Sequence, residues 1–246
     1  MIKDMDAINT EAVNELVKFP SSPIAYDGWA IILAGLFVAF GCWIGLRYMN
    51  PEPQSTAWML WVSGTVLALA FTVFSIWFFR DPQRTPLSQA AEDVISAADG
   101  TVLKVETVND PRYGGTAEKI SIFMSPLNVH VNRAPIRGKV TKVEYVPGKF
   151  FAANLDKAST DNERNWVSIQ NAKGQQVAFL QIAGFIARRI VCRTHVGDHL
   201  GVGQRYGMIR FGSRMEIFLP KGSKINVKPG DKLQAGETVV GKLPNA

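Results

Sequence analysis

Met208-Ile-Arg-Phe-Gly-Ser-Arg-Met-Glu-Ile-Phe-Leu-Pro220 is the stretch on which the reading of this chain turns. Ile209, Phe211, Met215, Ile217 and Leu219 lie at multiples of two, the period of a half-buried strand, and Gly212-Ser213 interrupts them. A kink is expected there, because glycine inside a strand marks a bulge or a close backbone approach. With the backbone held bent, the Ser213 hydroxyl can attack the Gly212 carbonyl just before it, which would be self-cleavage. An ordinary Gly-Ser bulge does no chemistry, so the rest of the chain has to decide between the two.

Working outward, strands are expected over 102–108, 119–124, 129–131, 139–146, 166–170 and 176–182, with Asp-Gly, Pro-Gly and Gly-Asp turns between them. Helix signals are few. The expected fold from residue 81 onward is therefore mainly β, an antiparallel barrel or sandwich rather than βαβ units. Gly197-Asp-His-Leu-Gly-Val-Gly203 and Gly230-Asp-Lys-Leu-Gln-Ala-Gly236 share one frame, Gly-Asp-x-Leu-x-x-Gly. The repeat resembles the turns of lipoyl- and biotinyl-type barrel sandwiches, in which a compact half is used twice. No Met-Lys-Met hairpin accompanies it, so a lipoate or biotin carrier is not supported.

Upstream the composition changes. Gly28 to Leu46 is 19 residues without a charge and Pro53 to Phe79 is 27, each enough to cross a hydrocarbon core of about 30 Å. The intervening Arg47 to Gln54, with Pro51 and Pro53, is a turn, so the two spans form a hairpin with both chain ends on one side. Lys3, Lys18, Arg80 and Arg84 outside the hairpin against Arg47 inside its turn put those ends in the cytoplasm, at the cell membrane. Residues 1–27 read as a polar N-terminal segment, 28–80 as the hairpin and 81–246 as the domain that carries the chemistry. The acidic start, Met1-Ile-Lys-Asp-Met-Asp6, is no secretory signal.

Residues 1–80 carry net −2 and residues 81–246 net +8, so the basic part is the part outside the spans. On a tethered domain that excess suits an anionic lipid surface. Basic residues are scattered without a nucleic-acid motif or an aromatic platform, so nucleic acid is not an expected partner. Cys42 and Cys192 fall in different regions and build neither a disulfide framework nor a metal cluster, and no metal is expected.

Two more places join Gly212-Ser213 as candidates. Asp99-Gly100 is a turn between strands, and His130 is the first of three histidines, fenced by Pro126 and Pro135, where a strand end beside a rigid proline can hold a base. His195 and His199 flank a Gly-Asp turn and read as surface residues.

Taken in order, the apolar hairpin, Phe78-Phe-Arg-Asp-Pro82, Ala98-Asp-Gly100, Ser125 to Pro135, Gln181-Ile-Ala-Gly184 and Phe211-Gly-Ser-Arg214 resemble the short, membrane-linked phosphatidylserine decarboxylases over nearly the whole chain. The resemblance implies self-cleavage between Gly212 and Ser213, giving a β chain 1–212 and an α chain 213–246 that remain together as a heterodimer. It also implies that Ser213 becomes a pyruvoyl group, the cofactor for converting phosphatidylserine in an anionic membrane to phosphatidylethanolamine and carbon dioxide. By the same resemblance His130 carries a proton in decarboxylation and Asp99 orients it or shares in self-cleavage. Arg133 and Asn128 are expected to contact substrate, Arg133 because its forked donors suit a carboxylate or phosphate.

Longer members of that family read Ser-Pro-x-Asp-Tyr-His-x-x-His-x-Pro. Here Asn128 replaces the Asp and Arg133 stands at the second His, so an Asp-His-Ser triad cannot be copied across and the base for Ser213 stays open. A decarboxylase of a related serine-headgroup lipid, and a non-catalytic membrane-anchored adaptor, are the competing readings. Homo-oligomerisation is left open.

Overall fold

The computed structural model describes residues 22–88, 90–185, 189–210 and 212–245; the expectation for the polar N-terminal segment falls largely outside them. The chain divides into two compact units, with a boundary between Gln83 and Arg84.

The first unit is a helical hairpin of α1 (Trp29–Met49) and α2 (Thr56–Phe78), each long and apolar enough to cross a membrane. Small residues let the helices approach: a Cβ at Gly35 would overlap the Thr72 hydroxyl, and one at Gly45 would press to 2.7 Å from the Trp61 ring. Hydroxyls inside the spans bond back to their own helix, Thr72 to the Ala68 carbonyl at 2.8 Å and Ser75 to that of Phe71 at 2.8 Å. Ser55 caps α2 by accepting from the Trp58 N–H at 3.2 Å. The mouth is tied by Ala25 N–H to the Phe79 carbonyl at 2.7 Å and Asp81 N–H to that of Pro23 at 2.8 Å.

The second unit is mainly β, as its turns and alternation imply. Its strands are β1 (Asp93–Ile95), β2 (Gly100–Asp110), β3 (Gly115–Met124), β4 (Val131–Arg133), β5 (Gly138–Val146), β6 (Arg164–Gln170) and β7 (Gln176–Ala183). After these come β8 (Ile190–Cys192), β9 (His199–Leu200), β10 (Arg205–Ile209), β11 (Ser213–Pro220), β12 (Lys224–Ile225), β13 (Lys232–Leu233) and β14 (Val239–Lys242). A short helical turn, α3 (Ala158–Asp161), precedes β6. Eight strands form one antiparallel sheet in the order β13-β2-β3-β11-β7-β6-β5-β9, accompanied by the three-stranded sheets β4-β10-β8 and β1-β14-β12.

The kink expected within 208–220 is a change of sheet. Arg205–Ile209 form β10, paired with β4 and β8, whereas the residues from Ser213 onward form β11 at the centre of the large sheet. One face of β11 sends Met215, Ile217 and Leu219 into the main core with Ile120, Ile122, Val167, Ile169 and Phe179. The opposite face carries Phe218 against Trp166, Ala178 and Leu180, together with a buried ion pair, Arg214 Nη2 to Glu216 Oε1 at 2.8 Å. Ser121 accepts from that arginine at 2.9 Å, and Ser159 donates to Glu216 at 2.8 Å. Both faces of β11 are thus covered, which is why its sequence is apolar nearly throughout.

The repeated frame closes the two edges of this sheet in the same way. At one edge Gly197 N–H bonds the Val140 carbonyl at 2.9 Å and Val140 N–H bonds the Asp198 carbonyl at 2.8 Å; at the other, Gly230 and Asp231 do the same with Val102 at 2.9 Å each. Each partner strand carries an irregularity just beyond, between Val140 and Lys142 and between Val102 and Lys104. The second glycine of each copy takes a left-handed conformation, φ +72° at Gly203 and +77° at Gly236. The sequence repeat is therefore a structural one.

Candidate active site

Register brings the sequence-distant candidates to one end of the large sheet. β2 begins at Gly100, β3 ends at Met124, β11 begins at Ser213, β7 ends at Ala183 and β6 begins at Arg164. Ser213 pairs with Met124 on one side and with Ala183 on the other, so the Gly212–Ser213 peptide stands at the head of a central strand.

Ser213 is fully buried, and its hydroxyl donates to Met124 Sδ at 3.2 Å. A thioether is a weak acceptor and no base, so the contact orients Oγ without activating it. Gly212 adopts φ +73°, and among the described residues a Cβ there would meet only Pro126 Cγ at 3.9 Å; the backbone conformation demands glycine. At Gly184 the reason is the opposite. A Cβ on Gly184 would overlap the Gly212 carbonyl oxygen and lie 3.1 Å from its carbon and 3.2 Å from Ala153 Cβ. The hydrogen of Gly184 is thus the space in which the Gly212 carbonyl sits.

His130 is buried and reaches this peptide directly. Its Nδ1 lies 2.9 Å from the Asn128 carbonyl, and its Nε2 accepts from Gly212 N–H at 3.3 Å. A carbonyl only accepts and an amide N–H only donates, so both contacts hold together when the proton is on Nδ1. The Nε2 lone pair then faces the Gly212–Ser213 linkage. The strand expected at 129–131 begins only at Val131, with Val129 and His130 buried ahead of it. The cause is local: Asn128 Oδ1 accepts from Ser125 N–H at 2.8 Å and Ser125 Oγ at 2.9 Å, closing a turn that carries the chain into β4. Asn128 works here through its carbonyl on His130 and its side chain on Ser125.

Asp99 lies just ahead of β2, buried, with both oxygens engaged. Arg84 grips it with two guanidinium nitrogens, Nη2 to Oδ2 at 2.9 Å and Nη1 to Oδ1, and Ala235 N–H donates to Oδ1 at 2.8 Å. Arg133, 3 % exposed, donates from Nη1 to the Gly203 carbonyl at 3.2 Å, and a Cβ at Gly236 would come 2.5 Å from its Cδ. It therefore threads between the second glycines of the two repeat copies. The contacts gather His130, Met124 and Gly184 around Gly212-Ser213, whereas those of Asp99 and Arg133 run to Arg84 and to the repeat turns. His195 is exposed and His199 half-buried on β9.

Three residues have contacts that the sequence reading did not assign to them. Met124 read as one more core apolar residue, and nothing in its spacing marks a sulfur aimed at a hydroxyl. Gly184 entered only as the last residue of the Gln181–Gly184 motif, and nothing there marks its missing side chain as the space for a carbonyl. Arg84 was counted as a flanking charge of the second span, yet its side chain is buried on Asp99.

Residues 71–241 match the family described as phosphatidylserine decarboxylase. Proteins named phosphatidylserine decarboxylase proenzyme from Burkholderia multivorans and Burkholderia ambifaria are each 44% identical to the chain over 227 residues, covering 92% of it and 99% of their own length. A third, from Burkholderia lata, is 43% identical over the same span. A match running from the second helix through the central strand to β14, with relatives covered almost end to end, places this chain in the phosphatidylserine decarboxylase family.

Proposed function

We propose that the chain is a proenzyme that cuts itself between Gly212 and Ser213 and then decarboxylates phosphatidylserine to phosphatidylethanolamine. The observation that carries the reading is the Gly212–Ser213 peptide itself: a left-handed glycine, a buried hydroxyl, and a histidine ring nitrogen on the glycine N–H. In the first step Ser213 Oγ adds to the Gly212 carbonyl carbon and the amide becomes an ester, with Gly184 leaving that carbonyl room to change shape. Elimination across the Ser213 Cα–Cβ bond frees the Gly212 carboxylate, and water releases the serine nitrogen as ammonia, leaving a pyruvoyl group on Arg214. Residue 213 then holds one heavy atom fewer than serine, so the cradle of Met124 and Ala183 accommodates it without new space.

The pyruvoyl ketone supplies an electron sink for the departing carbon dioxide. The chain supplies the rest. His130, held by the Asn128 carbonyl in the Nδ1–H tautomer, is assigned to take up a proton at Nε2 and then deliver it in decarboxylation. Asp99, locked by Arg84 and Ala235, fixes the entry into β2 two strands from Ser213 and acts as a positioning residue. Arg133 is assigned to holding the two repeat turns together, with substrate contact a secondary task. The apolar hairpin is assigned to the cytoplasmic membrane with both chain ends in the cytoplasm, keeping the enzyme where its substrate lies. The cut chains 1–212 and 213–246 are expected to stay paired.

The test is direct. Purified protein should resolve on a denaturing gel into two chains, with a carbonyl-reactive start on the Ser213–Ala246 piece only, and should release carbon dioxide from phosphatidylserine. A single uncut chain without a carbonyl would refute the assignment.

A further inference from the structure

The turns that enclose the Gly212–Ser213 peptide each carry an apolar side chain into solvent. Pro126 touches the Gly212 position, and its neighbour Leu127 is 65 % exposed. Gly184 lies against the Gly212 carbonyl, and the next residue, Phe185, is 70 % exposed. Ala153 borders Gly184, and the same loop holds half-buried Phe151 and Leu155, 43 % exposed. Leu, Phe and Leu thus project from separate turns around one peptide. Solvated single apolar residues are common, but a set gathered at one strand end around a reactive centre is not explained by chance exposure.

Basic groups lie beside these tips. Lys157 and Lys149 place their ammonium groups 4.0 and 5.8 Å from the centre of the Phe151 ring. Arg189 is exposed beyond Phe185. The acidic Asp156 of the same loop is neutralised by Lys104 at 2.7 Å. Apolar tips beside basic side chains that make no ion pair among the described residues match the layering of an anionic bilayer surface, with acyl chains below and phosphates above.

We propose that this strand end is a membrane-docking face of the catalytic unit: Leu127, Leu155 and Phe185 enter the interface while Lys149, Lys157 and Arg189 meet anionic headgroups. The proposal rests on the lipid-decarboxylase reading and adds how a buried centre at position 213 meets a substrate whose acyl chains stay in the bilayer. Docking by the strand end lets a headgroup enter between the turns without the whole lipid leaving the membrane.

The experiment uses the full chain reconstituted into vesicles of phosphatidylcholine, or of phosphatidylcholine and phosphatidylglycerol in equal parts. Cys42 and Cys192 are replaced by alanine, and an environment-sensitive fluorophore is placed at F185C. Blue-shifted emission, quenched by bromine-labelled acyl chains in the anionic vesicles and reversed by K149E/K157E, is the expected result. In parallel, L127D/F185D should cut turnover of bilayer phosphatidylserine about tenfold or more while sparing a short-chain, monomeric phosphatidylserine. An unshifted probe in anionic vesicles overturns the proposal, as does an equal loss on both substrates. A shift that follows protein density instead of lipid charge also overturns it, by assigning the face to a second copy of the chain. Because the probe needs no turnover, a lipid-dependent shift without decarboxylation would sink the enzymatic reading alone.

Discussion

Gly184→Ala places a single methyl group against the bond proposed to be cut. The backbone of Gly184 is not left-handed, so alanine is conformationally permitted; only the contact is at issue. The new Cβ would overlap the Gly212 oxygen, and restoring an ordinary carbon–oxygen separation of about 3.3–3.6 Å needs a displacement of roughly 1 Å. Ala153 Cβ, 3.2 Å away on the other side, keeps the methyl from retreating. Overpacking of this kind costs about 1–3 kcal/mol, which a folded domain can absorb. A misplacement of about 1 Å at reacting atoms, however, costs on the order of a hundredfold in rate. The expected outcome is a folded protein that remains largely one chain while wild type is already cut. Cleavage is followed by denaturing gel against time, with thermal unfolding of the same sample as the control for folding. Wild-type cleavage kinetics in a folded Gly184→Ala protein would refute the view that this glycine makes room for the carbonyl.

Ser213→Ala should leave a single chain of 27.1 kDa by intact mass, with no carbonyl-reactive product. His130→Gln, assayed on whatever fraction is cut, should lower decarboxylation by about 10²–10⁴-fold, the usual weight of a positioned acid or base. Arg84→Met strands the buried Asp99 carboxylate and should cost about 3–5 kcal/mol in chemical denaturation. Burial pushes the Tyr206 phenol well above its ordinary range, so the unfolded chain ionises first as pH rises. Stability is then fully present below about pH 10 and lost above it, and Tyr206→Phe should flatten that alkaline loss in denaturation curves.

Much of this was legible because it is periodic. The two charge-free runs became α1 and α2, and the doubled Gly-Asp frame became the two sheet edges, since glycines at left-handed positions leave a fixed mark in sequence. The order Asp99, His130, Gly212-Ser213 was readable as a motif set. What periodicity could not carry was the partition at Gly212 into two different sheets, because β10 and β11 alternate in step and look like one strand. Contacts across the fold were equally hidden: Arg84 on Asp99, Met124 on Ser213 and Gly184 on the Gly212 carbonyl pair residues 15, 89 and 28 positions apart. Nothing local in those side chains announces the partner.

The proposed break, at the head of an interior strand, would have a lasting effect on how the protein can be assembled. Ser213–Pro220 is zipped to β3 on one side and β7 on the other, so severing the link before it removes one covalent tie and leaves both ladders in place. Parting the fragments would mean opening the sheet down its middle. Once denatured, however, the cut protein must find its missing strand by collision, and the bond that first delivered that strand no longer exists. Refolding before the cut is unimolecular; afterwards it depends on concentration.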